Sequence, residues 1–497
     1  MVEEGGTHNG AFVGEERLTP VEDDGGLGHH QHPNGAEDDP ENEAEVEVHG
    51  CGASACCNPS RGPYRFIALL FMCFLSFGSY FCYDTPGSLQ DHIMDDMKVS
   101  TTQFASLYGL YSWPNVILCF LGGFLIDRVF GIRWGTIIFS TIVTFGQFIY
   151  AMGGIVDRFW VMQLGRFVFG IGGESLAVAQ NTYTVSWFKG KELNTVFGLL
   201  LSMARVGSTV NFLVMVPLYD WVDGYADGPE ALGISLMFAG ATCVFSLICA
   251  VILGFLDKRR SKVLRLTAAT SGEKVKLSDV LSFPSSFWLL SIICVSYYVA
   301  IFPFIGLAKV FFMRKFELKD KTANAVSSIV YIISAFASPV LGFVVDRTGR
   351  NVLWVFIAVL VSIASHALLT FTFLSPFIAM SILGLAYSLL ASALWPMVSL
   401  VIPEHQLGTA YGMMQSVQNL GLALISMLAG LIVDLKGYLV LEMFYMVWLC
   451  VALASTTLLA VVNSSDGGYL LKSPSQRKQE IPPAIRRETY PAFEDKL

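Results

Sequence analysis

Long apolar segments alternate with short polar ones over most of this chain. Apolar runs of about 20 residues, the length at which a helix crosses the hydrocarbon core of a bilayer, recur from residue 65 to residue 462. The pattern predicts an all-α membrane protein of twelve transmembrane helices, six in each half. We number the predicted spans 1 to 12: 65–83, 103–126, 134–154, 159–182, 194–218, 231–256, 286–311, 324–345, 352–373, 377–401, 408–432 and 438–462.

The polar segments divide the chain into five predicted parts. Residues 1–62 are rich in Asp, Glu and Gly with almost no aliphatic run, which is typical of a disordered acidic tail. The only long internal polar stretch, 257–285, is predicted to be a linker between a six-helix half at 63–256 and another at 286–462. A second polar tail occupies 463–497.

Lys and Arg residues mark one side of the predicted membrane. They precede span 1 and follow spans 2, 4, 6 and 8, on the side of both termini. The opposite side is poorer in cations, although the loop after span 7 carries four. Because cytosolic loops are enriched in Lys and Arg, both termini and the linker are predicted to be cytosolic.

Composition agrees with a membrane protein and argues against other classes. The 497 residues are 54% hydrophobic and 14% charged, against roughly 25% charged in soluble domains. The net charge of −8 arises largely in the acidic tail and says little about partners. The sequence shows no nucleotide loop, metal-ligand spacing or nucleophile with a base at motif spacing. We therefore expect no enzymatic activity, no metal or other cofactor, and no nucleic acid partner.

A short pattern occurs twice, each time at the end of an apolar span. Residues 123–133 are GFLIDRVFGIR and residues 342–350 are GFVVDRTGR, and the two Asp residues lie 346 − 127 = 219 positions apart. A carboxylate at a helix end can hold neighbouring helices in one conformation and release them in another. One copy alone would indicate a charged turn, but two copies at half-chain spacing favour a transporter built from two repeats. The residues assigned to this gate are Asp127, Arg128, Asp346, Arg347 and Arg350.

Ionisable side chains within spans are the strongest candidates for function, because they cost several kcal/mol unless they are paired or face a cavity. Glu174 in span 4 suits an ammonium group, and Arg205 in span 5 suits a carboxylate. Together they suit a zwitterion. An internal Glu–Arg ion pair that joins the two spans is an equally good interpretation, and a third makes Glu174 a proton carrier. Tyr83 and Asp84 close span 1, and Asn181 lies on the Glu174 face of span 4.

The C-terminal half offers few charges but many aromatic and amide groups. Gln415 and Asn419 recur at four-residue spacing on span 11 and are predicted to face a pocket. Tyr298 on span 7 and Trp395 on span 10 are predicted to form side-chain pockets, whereas Tyr387 is left open between pocket and packing.

The repeated pattern resembles the cytoplasmic loop signature of the major facilitator superfamily, G-x-x-x-D-R-x-G-R. The second copy fits closely, and the first has one extra residue after the Asp-Arg pair. A closer resemblance, to a lysosomal branch of that superfamily, rests on segments spread over the twelve spans. These segments are 78–84, 111–115, 167–181, 202–205, 394–397 and 403–412.

The resemblance implies a multi-pass transporter of the lysosomal membrane that exports dipeptides by alternating access, without a cofactor. It also implies a heavily glycosylated lysosomal membrane protein as accessory subunit, and it assigns the two ends of the peptide to Glu174 and Arg205. Asp466, Leu470 and Leu471 fit an acidic dileucine sorting signal. A proton-coupled organic anion or sugar carrier, and a non-transporting scaffold of the same fold, are the alternative functions.

Overall fold

The computed structural model describes residues 58–59, 62–190, 192–264 and 276–478, and these residues are almost entirely helical. Nearly all of the predicted acidic tail, the middle of the predicted linker and the last 19 residues (479–497) lie outside the described residues. The helices are α1 Gly62–Leu75, α2 Phe77–Ser88, α3 Gln90–Asp96, α4 Thr101–Ser112, α5 Asn115–Leu125, α6 Gly131–Ile155, α7 Phe159–Phe188, α8 Leu193–Asp223, α9 Pro229–Val263, α10 Ser285–Lys315, α11 Asp320–Thr348, α12 Asn351–Phe371, α13 Pro376–Val401, α14 Leu407–Lys436, α15 Tyr438–Ser465 and α16 Pro474–Lys478.

Every predicted span coincides with one helix or with two consecutive ones. Span 1 is α1 with α2, span 2 is α4 with α5, and spans 3 to 12 are α6 to α15. In the described residues, ten helical stretches are long and apolar enough to cross a membrane, and the one at Ser106–Ile155 contains both span 2 and span 3. The remaining span is α7, which carries Arg166, Glu174 and Gln180. The all-α membrane fold is thus confirmed.

Two helix pairs join the predicted halves. α5 packs against α14, and α8 packs against α11. At one end of both pairs lie the two loops of the repeated pattern, and we call this end of the helix bundle the motif end.

The predicted linker and C-terminal tail are partly folded. α9 continues to Val263, so its basic cluster begins on a helix, where Arg260 donates to the Ser186 carbonyl at 3.1 Å. After α15, a 3-10 turn at Tyr469–Leu471 leads into α16. Leu470 is only 1% exposed, packed within this folded part of the predicted tail. The dileucine sorting signal stays a prediction.

Candidate substrate site and gate

Glu174 of α7 is half-buried and is hydrogen-bonded by two side chains. Its Oε1 accepts from the Tyr111 hydroxyl at 3.0 Å, and its Oε2 accepts from Gln415 Nε2 at 2.9 Å. Asn419, one turn further along α14, donates to the Cys119 sulfur at 3.6 Å. Both donors to Glu174 are neutral, and Gln415 comes from a helix of the opposite predicted half.

Arg205 of α8 also reaches across to the opposite half. Its Nη2 donates to the Tyr387 hydroxyl at 2.6 Å, and the guanidinium carbon lies 4.6 Å from the centre of the Tyr331 ring and 6.0 Å from that of Phe302. Aromatic faces attract a cation but do not neutralise its charge. The Nε of Arg205 is buried and makes no hydrogen bond to the described residues, so one donor of the guanidinium remains unused.

The two charges do not pair with each other. Among the described residues, Glu174 accepts from a tyrosine and an amide, and Arg205 contacts tyrosines, with no salt bridge between them. The ion-pair interpretation is therefore wrong for this structure. An acidic and a basic group that are held apart by neutral partners suit a ligand with a charge of each sign.

The broken first span forms a third wall of this site. The ring of Tyr83 lies 4.8 Å from that of Tyr111, edge to face. Asp84 follows it on α2 and is half-buried, as is Tyr80 one turn earlier.

Arg166 supports this wall and does not line the site. Pro86 has no N–H, so the Cys82 carbonyl lacks its helical donor. Arg166, which is fully buried, donates to that carbonyl at 3.1 Å and to the Tyr83 carbonyl at 3.2 Å. The arginine therefore replaces the helical hydrogen bond that the proline removes, and it holds the backbone that carries Tyr83 and Asp84.

The other predicted residues lie on two further surfaces. Trp395 Nε1 donates to the Tyr298 hydroxyl at 3.0 Å, and the Tyr298 and Tyr387 rings meet edge to face at 6.1 Å. These contacts connect both residues with the partner of Arg205. Asn181 is half-buried on α7, about two turns from Glu174.

Asp127, the predicted gate residue of the first copy, caps a helix of the other predicted half. Its Oδ1 accepts from the backbone N–H of Gly408 at 3.0 Å, and its Oδ2 accepts from the N–H and the hydroxyl of Thr409 at 2.6 and 2.7 Å. These N–H groups open α14, where a helix has no internal acceptor for them and carries partial positive charge.

Asp346 of the second copy makes the corresponding contacts in the opposite direction. Its Oδ1 accepts from the N–H and the amide Nδ2 of Asn194 at 3.0 and 2.7 Å. Its Oδ2 accepts from the N–H and the hydroxyl of Thr195 at 2.7 and 2.5 Å. Each half thus supplies a carboxylate to the start of a helix in the other half.

The extra residue of the first copy lies in a π-helical turn at Ile126–Phe130. A π turn holds one more residue than an α turn, so Asp127 reaches α14 although its loop is longer than that of Asp346. The glycines that open the two patterns mark the helix crossings. A Cβ on Gly123 would lie 3.2 Å from the Gly412 Cα, and one on Gly342 would lie 2.9 Å from the Thr195 Cα.

The arginines of the pattern lie outside these contacts. Arg128 and Arg347 are exposed, with their guanidinium carbons 5.5 and 5.1 Å from the rings of Phe124 and Phe343 on their own helices. Arg350 is exposed and precedes α12 in a left-handed conformation. Of the five residues assigned to the gate, the two carboxylates hydrogen-bond across the predicted halves through their side chains, and a role of the three arginines in the gate stays a prediction.

A bundle of long apolar helices, with a loop motif that occurs twice and with charged side chains inside its spans, has the features of a membrane transporter. The chain belongs to the Major Facilitator Superfamily, whose family model matches residues 69–426. The crystal structure of the superfamily transporter FucP in the outward conformation superposes with a TM-score of 0.64 over 80% of this chain and 99% of that chain, at 12% identity.

Within the superfamily, the chain is similar in sequence to a group of lysosomal transporters. The chain is 58% identical to the lysosomal dipeptide transporter MFSD1 of Mus musculus over 441 residues, which are 88% of this chain and 95% of the relative. It is 59% identical to the Homo sapiens protein of the same name, over 86% of this chain and 92% of the relative. These relatives are transporters, which confirms that the chain is not an enzyme and identifies the lysosomal branch indicated by the sequence.

Proposed function

We propose that this chain is a multi-pass lysosomal membrane protein that exports dipeptides to the cytosol by alternating access. The names of its relatives support the substrate class and the membrane. The observation that carries the mechanism is the arrangement of Glu174 and Arg205, whose charges are held by neutral partners from the opposite half and not by each other.

In this proposal Glu174 binds the peptide ammonium group and Arg205 binds the carboxylate. The ammonium and carboxylate groups of an extended dipeptide are separated by about 7 Å. Glu174 and Arg205 both belong to helices of the predicted N-terminal half. Tyr83, Asp84, Asn181, Tyr298, Trp395, Gln415 and Asn419 surround the rest of the substrate. Without substrate, Gln415 and Tyr387 of the C-terminal half hydrogen-bond Glu174 and Arg205 of the N-terminal half. A bound peptide would compete for these hydrogen bonds, and this competition would couple substrate binding to movement of one half against the other.

The gate lies at the motif end, which we assign to the cytosol. Asp127 and Asp346 hold it closed, so the structure corresponds to a state that is closed to the cytosol. Transport requires no coupling ion in this proposal, as in a uniporter. The termini lie on the cytosolic side, in agreement with the Lys and Arg distribution.

We also propose a heavily glycosylated lysosomal membrane protein as accessory subunit. The only sequon of the chain is Asn463-Ser-Ser465, and Asn463 is 4% exposed at the motif end. The loops at the opposite end therefore have no N-linked glycan of their own. A glycosylated partner would protect them from luminal proteases.

Uptake into vesicles tests the assignment of the two peptide ends. The substrates are labelled Ala-Ala, N-acetyl-Ala-Ala and Ala-Ala-amide, and the parent should prefer the free dipeptide at least about 10-fold over each blocked form, because each blocked form loses a charge-assisted contact. In Glu174→Gln the preference over the N-acetyl form should fall to near one. In Arg205→Gln, which removes the cation, the preference over the amide should fall in the same way.

Glu230→Gln and Arg259→Gln are matched controls, because both side chains are exposed away from the site. Parental transport that accepts blocked and free peptides equally would contradict the two-ended clamp. Uptake of organic anions or sugars that follows a proton gradient would favour the proton-coupled carrier, with Glu174 as its proton site. A parent without any flux that still retains its partner would favour the scaffold.

A further inference from the structure

The segment after α15 packs on the loop of the second gate motif. We call residues 469–478 the strap. Its Tyr469 and Leu470 are 7% and 1% exposed, and the Leu470 N–H donates to the Asn463 side chain at 3.0 Å. The Arg350 N–H donates to the Lys472 carbonyl at 3.2 Å. The strap therefore docks through buried apolar side chains and backbone hydrogen bonds.

The last glycine of the motif makes room for this docking. Gly349 has a φ of +65°, which L side chains rarely adopt. A Cβ at this position would lie 2.7 Å from the Lys472 carbonyl oxygen and 2.9 Å from Cδ of Pro474. The gate loop and the strap therefore fit together only when this residue has no side chain.

Arg477 connects the strap with the first residue of α12. Its Nε donates to the Tyr469 carbonyl at 3.0 Å, and its Nη2 donates to the Leu470 carbonyl at 3.1 Å and to Asn351 Oδ1 at 3.0 Å. Asn351 is fully buried, so its amide relies on protein partners.

From Asn351 a chain of amides leads to the gate. Asn351 Nδ2 donates to Asn194 Oδ1 at 2.7 Å, and Asn194 Nδ2 donates to Asp346 Oδ1 at 2.7 Å. The first of these bonds crosses from α12 to α8, that is, from one predicted half to the other. Arg477 and Asp346 are thus the two ends of one hydrogen-bonded series.

The chemistry of the two ends sets the direction of the series. A guanidinium only donates and a carboxylate only accepts, whereas each asparagine amide can face either way. Arg477 requires Oδ1 of Asn351, which leaves Nδ2 for Asn194. Asp346 requires Nδ2 of Asn194, which leaves Oδ1 for Asn351. Both ends select the same orientation, and bonds in such a series strengthen one another.

We infer that Arg477 is a positioning residue of the gate, which orients the Asn351 amide and through it the Asn194 amide that donates to Asp346. This inference rests on the proposed role of Asp346 in closing the gate. Without Arg477, the Asn351 oxygen loses its donor, and the amide is held only through its Nδ2, which donates to Asn194 and to the Ala393 carbonyl at 3.2 Å. The strap therefore stabilises the contact of Asp346 with Asn194 from a distance. Asp127 has no corresponding segment behind it among the described residues.

Hydrogen exchange of the full-length protein in lipid nanodiscs tests the inference. The N–H groups of Asn194 and Thr195 are bonded to Asp346 and have no acceptor within their own helix, so their exchange reports this gate contact. Arg477→Leu should accelerate their exchange about 3- to 10-fold, the range for one net hydrogen bond. Arg477→Lys, which keeps a donor, should restore part of the protection. Arg259→Leu is the control for loss of an exposed arginine.

Asn351→Asp separates the relay from docking of the strap. Its carboxylate still accepts from Arg477 but cannot donate to Asn194, so exchange at Asn194 and Thr195 should accelerate while strap residues 469–478 stay protected. Acceleration that is confined to the strap in Arg477→Leu, with unchanged exchange at Asn194 and Thr195 in both variants, would overturn the inference. Asp346→Asn then tells the two proposals apart, because unchanged exchange in that variant would refute the gate itself.

Discussion

The two gate loops reach nearly the same geometry from different sequences. Asp127 and Asp346 each bind the first N–H groups and a threonine hydroxyl of a helix in the opposite half. The first loop is one residue longer and absorbs it in a π turn, whereas the second runs straight to the end of its helix. The spacing of the motif is therefore adjustable, and the position of its carboxylate is the property that the fold maintains.

The loops differ in what lies behind them. Asp346 accepts a fourth hydrogen bond, from the Asn194 side chain, and that amide belongs to the series that ends at Arg477. Asp127 accepts three hydrogen bonds from described residues. We therefore expect the contact of the second loop to be the stronger one.

The largest effects should come from side chains at the helix crossings. Gly123→Val and Gly342→Val would each place methyl groups against the backbone of the opposite helix, which cannot move without separating the halves. Overpacking of this kind costs about 1–3 kcal/mol and occasionally more, so dipeptide uptake into vesicles should fall at least about 10-fold in both variants.

Gly109→Val and Gly306→Val are the controls, because a Cβ at either position meets nothing within 4 Å. Equal losses of uptake in all four variants would show that valine acts by destabilising its own helix and not by separating the two helices at the crossing. A loss in only one of the two crossing variants would show that the loops are not equivalent.

The next largest effects should follow removal of the carboxylates. In Asp127→Asn and Asp346→Asn, the NH₂ group of the new amide would face N–H groups that now donate to the carboxylate. A buried group left without a hydrogen-bond partner costs about 1–3 kcal/mol. Exchange of the N–H groups at the start of α14 should accelerate in the first variant, and exchange at the start of α8 in the second. We expect the second acceleration to be about fivefold larger, because one more hydrogen bond is lost.

Reversal of that order would mean that the extra amide bond does not strengthen the second loop. Thr409→Val and Thr195→Val measure how much one hydrogen bond contributes to protection from exchange, since each removes one hydroxyl donor and keeps the shape of the side chain. These two variants should have similar effects, because the two hydroxyl contacts correspond.

The smallest effects should come from the arginines beside the two carboxylates. Arg128→Gln and Arg347→Gln remove exposed cations that stack on rings of their own helices, and such contacts contribute about 0.5–1 kcal/mol. Dipeptide uptake should stay within about threefold of the parent. A loss of tenfold or more, as expected for the two glycine variants, would place these cations in a state of the gate other than the closed one.

The membrane spans were predictable because the bilayer imposes a length and an apolar composition on each of them. The positions at which a span breaks into two helices were harder to predict from the sequence. Pro86 marks a weak point in the first span, but its compensation by Arg166 joins residues 80 positions apart. Arg166 and Glu174 are both charged residues of α7, yet Arg166 donates to backbone carbonyls of the first span whereas Glu174 accepts from side chains.

The site residues were selected from the sequence by charge and helical spacing, and their roles remain proposals. The partners of these residues were less visible. Tyr387 stayed open between pocket and packing until the structure placed it on Arg205. Tyr331 gave no sequence signal, because an aromatic residue in an apolar span is ordinarily a packing residue. Arg477 lies in a polar segment that predicts only a tail.

The reciprocal capping by Asp127 and Asp346 has the symmetry of a twofold dimer. Each half supplies one acid and receives one helix start, so the same patch acts as donor surface and as acceptor surface. Two copies of a single half with this patch would satisfy both contacts at once through an isologous interface. A six-helix ancestor could thus have formed the closed state as a homodimer before its two copies were joined in one chain.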